Sequence, residues 1–265
     1  MPSAAPNQAL EPTPTAFARA SLRLLARLTA GVGRRSGSGR VADVSTILSI
    51  VFGGLITILV AASIEFLRRP RLSIEIDAPV DIQYPPGYPA QRARSVRVRV
   101  ANRALPRWAR FISRSTASQC AAAITFHHLD GQRVQSRVMA GRWAGTPEPA
   151  PAPIRIGDQL GLLFDPARAL VGQRIDVPAG ESEALDVVAK FDDEGQFFGW
   201  SNASYFSDPL WRPSEWQFDP QRLLVRVVVR SIGERCEALF RLAGDVPIAD
   251  FRLEPPLPGD RVWDQ

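Results

Sequence analysis

The chain has 265 residues, 45% hydrophobic and 22% charged, with a net charge of +5. Two cysteines, Cys120 and Cys236, are too few for a disulfide framework. The basic residues are all arginine except Lys190, and they alternate along predicted strands with no recognition helix or stacking platform, which argues against nucleic-acid binding.

Residues 1–40 form an Arg-rich, acid-poor segment, in which Phe17 to Thr29 can form an amphipathic helix with Arg19, Arg23 and Arg27 on one face. The stretch NQALEPTPTAFARASLRLLARLTA also resembles translated repeat-derived tails of high-GC bacterial reading frames. On that reading the native start falls near Val41.

Residues 44–67 predict a single transmembrane helix, because Val44 to Leu67 contains one ionisable side chain, Glu65, and is followed by Arg68, Arg69 and Pro70. A cleaved signal peptide ending near Val60 to Ser63 is the alternative, but the apolar run continues through Ile64, Phe66 and Leu67. Ser45, Ser49, Gly53, Thr57 and Ala61 recur every fourth residue and make a candidate helix-packing ridge for self-association. Arg34, Arg35 and Arg40 precede the span, while Arg68, Arg69 and Arg71 follow it, so flanking charge is nearly balanced. If the upstream arginines are not native, the large domain is cytoplasmic at the inner membrane; a periplasmic domain is the alternative.

Residues 71–255 predict one all-β domain, with a short C-terminal tail over 256–265. Period-two alternation marks strands around Leu72–Ile76, Val96–Val100, Cys120–Phe126, Leu185–Phe191, Leu223–Val229 and Cys236–Leu242. In the Leu185 strand, Val187, Ala189 and Phe191 share the Leu185 face, opposite Asp186 and Lys190. A last short strand is expected over Ala249–Leu253. The Pro-rich connections Asp77–Gln91 and Thr146–Pro153 are expected to be extended loops. Asp130-Gly131 predicts a hairpin. Matching the faces requires a three-residue loop, Leu129 to Gly131, with Gly131 at positive φ beside a bulge. That register sets Phe126 opposite Val134 and Ile124 opposite Ser136, on a strand reaching Val138. The pattern as a whole is a two-sheet antiparallel sandwich preceded by one transmembrane α-helix.

The segment from Val96 to Arg103 resembles the second strand and turn of immunoglobulin-like sandwiches of the bacterial adhesion-related type. Asp176 to Glu181, leading into Leu185, is similar to the turn before a middle strand of such domains, and Leu223 to Arg230 to their penultimate strand. The resemblance implies a binding or spacer module and carries no catalytic residues. The chain departs from antibody-type domains in lacking an inter-sheet cysteine pair.

Charge divides along the chain. Residues 68–142 carry 14 Arg and 4 acids, while residues 143–265 carry 12 basic and 20 acidic groups. The basic half can lean on anionic lipid, or interleaved strands can neutralise the two halves. His127 and His128, adjacent on a strand, point to opposite faces and cannot share a metal in the usual way. Asp192-Asp193-Glu194-Gly195 reads as a solvated acidic turn without calcium-loop spacing. Residues 197–218 hold eight aromatics. Phe197, Phe198, Trp200, Tyr205, Trp211 and Trp216 are candidate interaction residues there; the alternative is a loop folded back to complete the core, with Trp143 beneath it. The expectation is a membrane-anchored, non-enzymatic interaction or scaffold module with no cofactor or metal. Its partners are the membrane, a second copy through the helix, and an unknown protein. The alternative is a sensor that binds a small ligand or lipid headgroup through its arginines.

Overall fold

The structure, a computed structural model, describes residues 40–83, 90–109, 112–147, 152–156, 159–163, 173–207 and 211–263, with backbone alone for 40–45, 152–156 and 159–163. The chain divides into two compact units, residues 1–60 and 61–265. The amphipathic segment expected for Phe17 to Thr29 lies outside the described residues.

Helix α1 runs from Arg40 to Arg68. Its Thr46–Arg68 portion is 23 residues long and apolar enough to cross a membrane, reaching roughly 35 Å at about 1.5 Å per residue. Ile47, Leu48, Ile50, Val51, Phe52 and Leu55 are all exposed. The helix stops where Pro70 makes helical backbone unfavourable for Arg69.

Among the described residues fifteen strands come after it: β1 (Leu72–Ile76), β2 (Val80–Gln83), β3 (Arg92–Asn102), β4 (Ala117–His127), β5 (Met139–Ala140), β6 (Arg142–Trp143), β7 (Ala152–Ile156), β8 (Gln159–Leu163), β9 (Arg174–Val177), β10 (Ser182–Phe191), β11 (Phe197–Gly199), β12 (Gln217–Phe218), β13 (Arg222–Ser231), β14 (Glu234–Ala243) and β15 (Arg252–Glu254). One antiparallel sheet has the order β1-β3-β10-β11-β12, with β2 also on β3 and β6 on β10. The other has the order β15-β14-β13-β4-β5, with β9 also on β4. Strands β7 and β8 form a separate hairpin. The two larger sheets enclose one core, in which Val96, Val98, Val100 and Leu185 of the first meet Ile124, Phe126, Val225 and Val227 of the second. Period-two alternation produces this directly, since every second side chain of these strands points inward.

Several expectations change. The register between β10 and β3 slips between Asp186 and Val188. This bulge reverses the facing of the residues beyond it. Leu185 and Val187 enter the main core, whereas Ala189 and Phe191 join a second cluster with Phe198, Trp200 and Tyr205. Lys190 is thereby buried, donating to the carbonyls of Gly244 at 3.1 Å and Val246 at 2.7 Å.

The hairpin register after β4 is as expected at its start. Gly131 has φ +90, the His128 N–H donates to the Gln132 carbonyl at 2.8 Å, and the Val134 N–H to that of Phe126 at 3.0 Å. The expected strand through Val138 does not form. Ile124 pairs with Met139 rather than Ser136, because Gln135 and Arg137 turn outward to Glu215 and leave Val138 exposed.

The expected Ala249 strand begins at Arg252; Ile248–Asp250 is a 3-10 turn following Pro247, with the Asp250 N–H on the Pro247 carbonyl at 2.9 Å. The Asp77–Gln91 connection contains β2, and Ala152 and Pro153 of the expected extended segment begin β7. The C-terminal segment is pinned rather than trailing. Asp260 accepts two hydrogen bonds from Arg241 at 2.7 Å, and the Trp263 indole donates to the Asp130 carbonyl at 3.1 Å.

Candidate functional site

The aromatic segment folds back onto the sandwich. Alternation in β11 sends Phe197 inward, 5.3 Å from Phe218, and Phe198 outward, 5.8 Å from Phe191. Phe197, Phe198, Trp200, Tyr205 and Trp216 are no more than 5% exposed, and Trp211 is half-buried against the outer cluster. Of the two readings of these six rings, the loop folded back to complete the core describes the five that are buried, and an exposed recognition surface does not. Gly199 and Trp216 face each other too closely for a side chain at 199, so the rings pack as core. Trp143 lies wholly buried within the main cluster.

Beneath Tyr205 lies a buried charge cluster. Asp186, fully buried, accepts from Arg97 Nε at 2.6 Å and from Arg142 Nη1 at 3.0 Å. Arg142 also donates to the Thr146 carbonyl at 3.0 Å and stacks 4.9 Å from the centre of Tyr205. These contacts join the basic and acidic halves across neighbouring strands, with Asp186 and Arg142 buried and Arg97 partly exposed.

The other ionisable candidates are also structural. His127 is buried, its ring nitrogens 2.9 Å from Thr125 Oγ1 and 3.1 Å from the Gly131 carbonyl, while His128 is exposed on the opposite face. Asp193 and Glu194 grip Arg212, whose guanidinium lies 4.5 Å from the centre of Phe191. Cys120 and Cys236 are free thiols on strands separated by β13, and burial pushes Cys120 up to about 11. Among the described residues no group of three His, Cys, Asp or Glu side chains could hold a metal.

An open site lies where α1 meets the sandwich. The last turn of α1 belongs to the same compact unit as the strands. Its Arg68 carbonyl accepts the Ser115 N–H at 2.7 Å, the Arg71 N–H donates to Asn102 Oδ1 at 3.1 Å, and the Arg103 N–H donates to the Arg71 carbonyl at 2.9 Å. Asn102, fully buried, also donates to the carbonyls of Ser115 and Val177 at 3.0 and 3.1 Å. One asparagine thus locks the helix exit to β3, to the loop after it and to β9. Beside this junction is a cleft of about 480 Å³ whose lining includes Phe66, Arg69, Arg71, Ser73, Arg103 and Glu234. Arg71 lies over Phe66 at 5.4 Å. Arg114, 8% exposed, has no hydrogen-bond partner for Nε or Nη1, nor has Ser73 for its hydroxyl, also 8% exposed. Burial, with the Arg71 charge adding to it and Glu234 opposing, pulls Arg114 below its ordinary value.

Sequence reasoning placed Arg69 and Arg71 beside the span but not Ser73, Arg103 or Arg114 with them. The pairing of β1 with β3, which sets Leu72 against Asn102, brings Ser73 and Arg103 to the helix exit, and the Ser115 N–H bond to the Arg68 carbonyl holds Arg114 near it. Within the helix ridge Thr57 Oγ1 donates to the Gly53 carbonyl at 2.9 Å. A Cβ at Gly53 would meet nothing within 4 Å. Comparison of the chain with protein-family models, with curated proteins and with solved structures finds no match.

Proposed function

We propose that this protein is a membrane-anchored, non-enzymatic interaction module: an immunoglobulin-like sandwich held at the surface of a bacterial inner membrane by one spanning helix. The observation that carries this reading is the short, locked joint. Only Arg69, Pro70 and Arg71 separate α1 from β1, and backbone hydrogen bonds to Arg68 and Arg71 tie that joint to the loop before β4 and to β3. A sandwich so attached is presented close to the end of an apolar helix.

Strand order supports the immunoglobulin-like reading. Strands β1, β3 and β10 stand in the order of strands A, B and E of such domains, and β9, β4, β13 and β14 in that of C′, C, F and G. The aromatic segment then occupies the connection between E and F, and β15 extends the second sheet beyond G. The buried ionisable groups support a non-catalytic role, since Asp186, Arg142 and Lys190 each satisfy structural partners.

Partner contacts are set by the exposed surfaces. The ridge of Ser45, Ser49, Gly53, Thr57 and Ala61 fits close approach by a second helix of the same kind. With Arg34, Arg35 and Arg40 on the other flank, Arg68, Arg69 and Arg71 favour a cytoplasmic sandwich by the positive-inside tendency only if those upstream arginines are not native. Protease accessibility in spheroplasts tests the side: a cytoplasmic sandwich stays intact until the membrane is broken, and digestion in intact spheroplasts contradicts it. A transmembrane dimerisation reporter, comparing Gly53→Ile with the parent span, tests self-association; an unchanged signal removes it.

A further inference from the structure

The cleft at the helix exit has the chemistry of an anion site. Three of its lining residues, Arg69, Arg71 and Arg103, are cationic, and Glu234 is the one carboxylate among the lining residues. Arg103 has only a loose pair with Glu75 at 3.6 Å, both side chains more than 60% exposed, which leaves its charge largely available. Among the described residues no carboxylate forms an ion pair with Arg68, Arg69, Arg71 or Arg114. Elsewhere Arg94 is paired with Asp81 and Arg226 with Glu237.

Two further observations point to a ligand. Ser73 is one of the residues lining the cleft and is more than nine-tenths buried, and its hydroxyl has no protein partner. Arg114 is equally buried with two unpartnered nitrogens, next to Ser115, whose N–H donates to the Arg68 carbonyl at the helix exit. Leaving buried donors unmatched costs on the order of 1–3 kcal/mol each, more for a charged group, unless a bound group satisfies them. The cleft volume, about 480 Å³, lies in the range of small-ligand sites, roughly 300–1,000 Å³.

Position names the source of the anion. Phe66, in the last turn of the apolar helix, and Arg69, just beyond it, share this cleft. The loop from Arg103 to Ser115 is tied at both ends to Arg71 and Arg68, and on it Arg107 and Trp108 stand exposed, Trp108 by 68%. Exposed indoles and arginines next to an apolar span are the side chains that sit at headgroup level. We propose that the cleft binds the phosphate of an anionic lipid headgroup, with Arg71, Arg69 and Arg103 as its walls, Arg114 and Ser73 as inner donors, and Trp108 seated in the adjoining interface. This rests on the membrane-anchored reading of the chain.

The test uses the full-length chain in neutral detergent, titrated separately with dioctanoyl-phosphatidylglycerol, dioctanoyl-phosphatidylcholine and inorganic phosphate, with binding read by calorimetry. The expected result is saturable binding of the phosphatidylglycerol, about tenfold or more tighter than the phosphatidylcholine, weakened about tenfold by Arg71→Gln and by Arg114→Gln. Arg230→Ala, on an exposed position of β13, leaves it unchanged. Arg71 is exposed, so Arg71→Gln reports on the site even if Arg114→Gln unfolds. Equal binding of the two lipids, or no loss with Arg71→Gln, overturns the proposal. Inorganic phosphate bound as tightly as the phosphatidylglycerol overturns the headgroup as source and assigns the same donors to a soluble phosphate. Carbonate extraction of the same protein separates this from the anchor, since a chain that resists extraction yet ignores phosphatidylglycerol keeps the anchor and loses the lipid site.

Discussion

Asp186 is the residue whose removal should cost the sandwich most per atom deleted. Its carboxylate is wholly buried between Arg97 Nε at 2.6 Å and Arg142 Nη1 at 3.0 Å, with Ser95 Oγ more distant at 3.5 Å. Asp186→Ala leaves two guanidinium groups facing one another. The Arg97 side chain is 23% exposed and can turn toward water, but that of Arg142 is only 3% exposed and keeps just the Thr146 carbonyl and the Tyr205 ring as firm partners. Most of the penalty therefore falls on Arg142. Breaking a buried pair by deleting one member costs about 3–5 kcal/mol, whereas Arg97→Ala should cost about 1.5–3 kcal/mol as a lost charge-assisted hydrogen bond. For a domain of this size the larger loss lowers the melting temperature by about 6–20 °C. Unfolding of the full-length chain in detergent, followed by tryptophan fluorescence and circular dichroism, measures it. Adding Arg142→Met to Asp186→Ala should restore at least about 1 kcal/mol, because it removes the stranded charge. A loss below about 1 kcal/mol for Asp186→Ala, the range of a solvated surface pair, would refute the reasoning.

Gly131→Ala should destabilise the chain by about 1–3 kcal/mol and release the C-terminal segment, because the new methyl would lie 2.5 Å from the Arg261 carbonyl and 2.8 Å from the Trp263 ring at φ +90; limited proteolysis near Trp263 reads the release. The Cys120 thiol, pushed up to about 11 by burial, should resist a thiol reagent at pH 8 until the protein unfolds. Because its folded value is raised, its linked stability is complete below the unfolded thiol value of about 8.5 and is lost as pH rises toward the folded one; a melting temperature unchanged from pH 8 to 11 would contradict this. Glu237 and Asp260 behave oppositely. Hydrogen bonds from Arg226 and Arg241 hold them below the usual carboxylate range, so their stabilisation is present above about pH 4 and lost as pH falls through their folded values. Glu237→Gln should flatten that acid limb of a melting-temperature profile.

The architecture was legible where one periodicity ran unbroken. Val96, Val98 and Val100, one face of Cys120 to Phe126, and Leu223, Val225, Val227 and Val229 follow the period of two and each became part of the core, although Leu224 and Val228 on the other face of β13 are buried as well. The turn at Gly131 was legible because facing and loop length constrain one another. Reading failed where a local irregularity changed the parity. The bulge at Asp186 to Val188 reversed Ala189, Lys190 and Phe191, and no residue type in that run announces it. The aromatic segment left two readings open for a related reason: eight rings without periodicity give no face, and the sheet offered two apolar surfaces between which the rings divided. The helix-exit cleft was half legible. Arg69 and Arg71 come directly after the span in sequence, but Arg103 joins them only through the pairing of β1 with β3, Glu234 comes from β14 of the other sheet, and Arg114 comes from the loop tied to Arg68.

The anchor is the central claim, and alkaline carbonate extraction of membranes from cells expressing the full-length chain tests it most directly. Thr46 to Arg68 is long and apolar enough to span, so the protein should remain in the pellet after carbonate treatment and enter the supernatant only with detergent. Release by carbonate alone would contradict a spanning helix and, with it, the placing of the sandwich at the membrane.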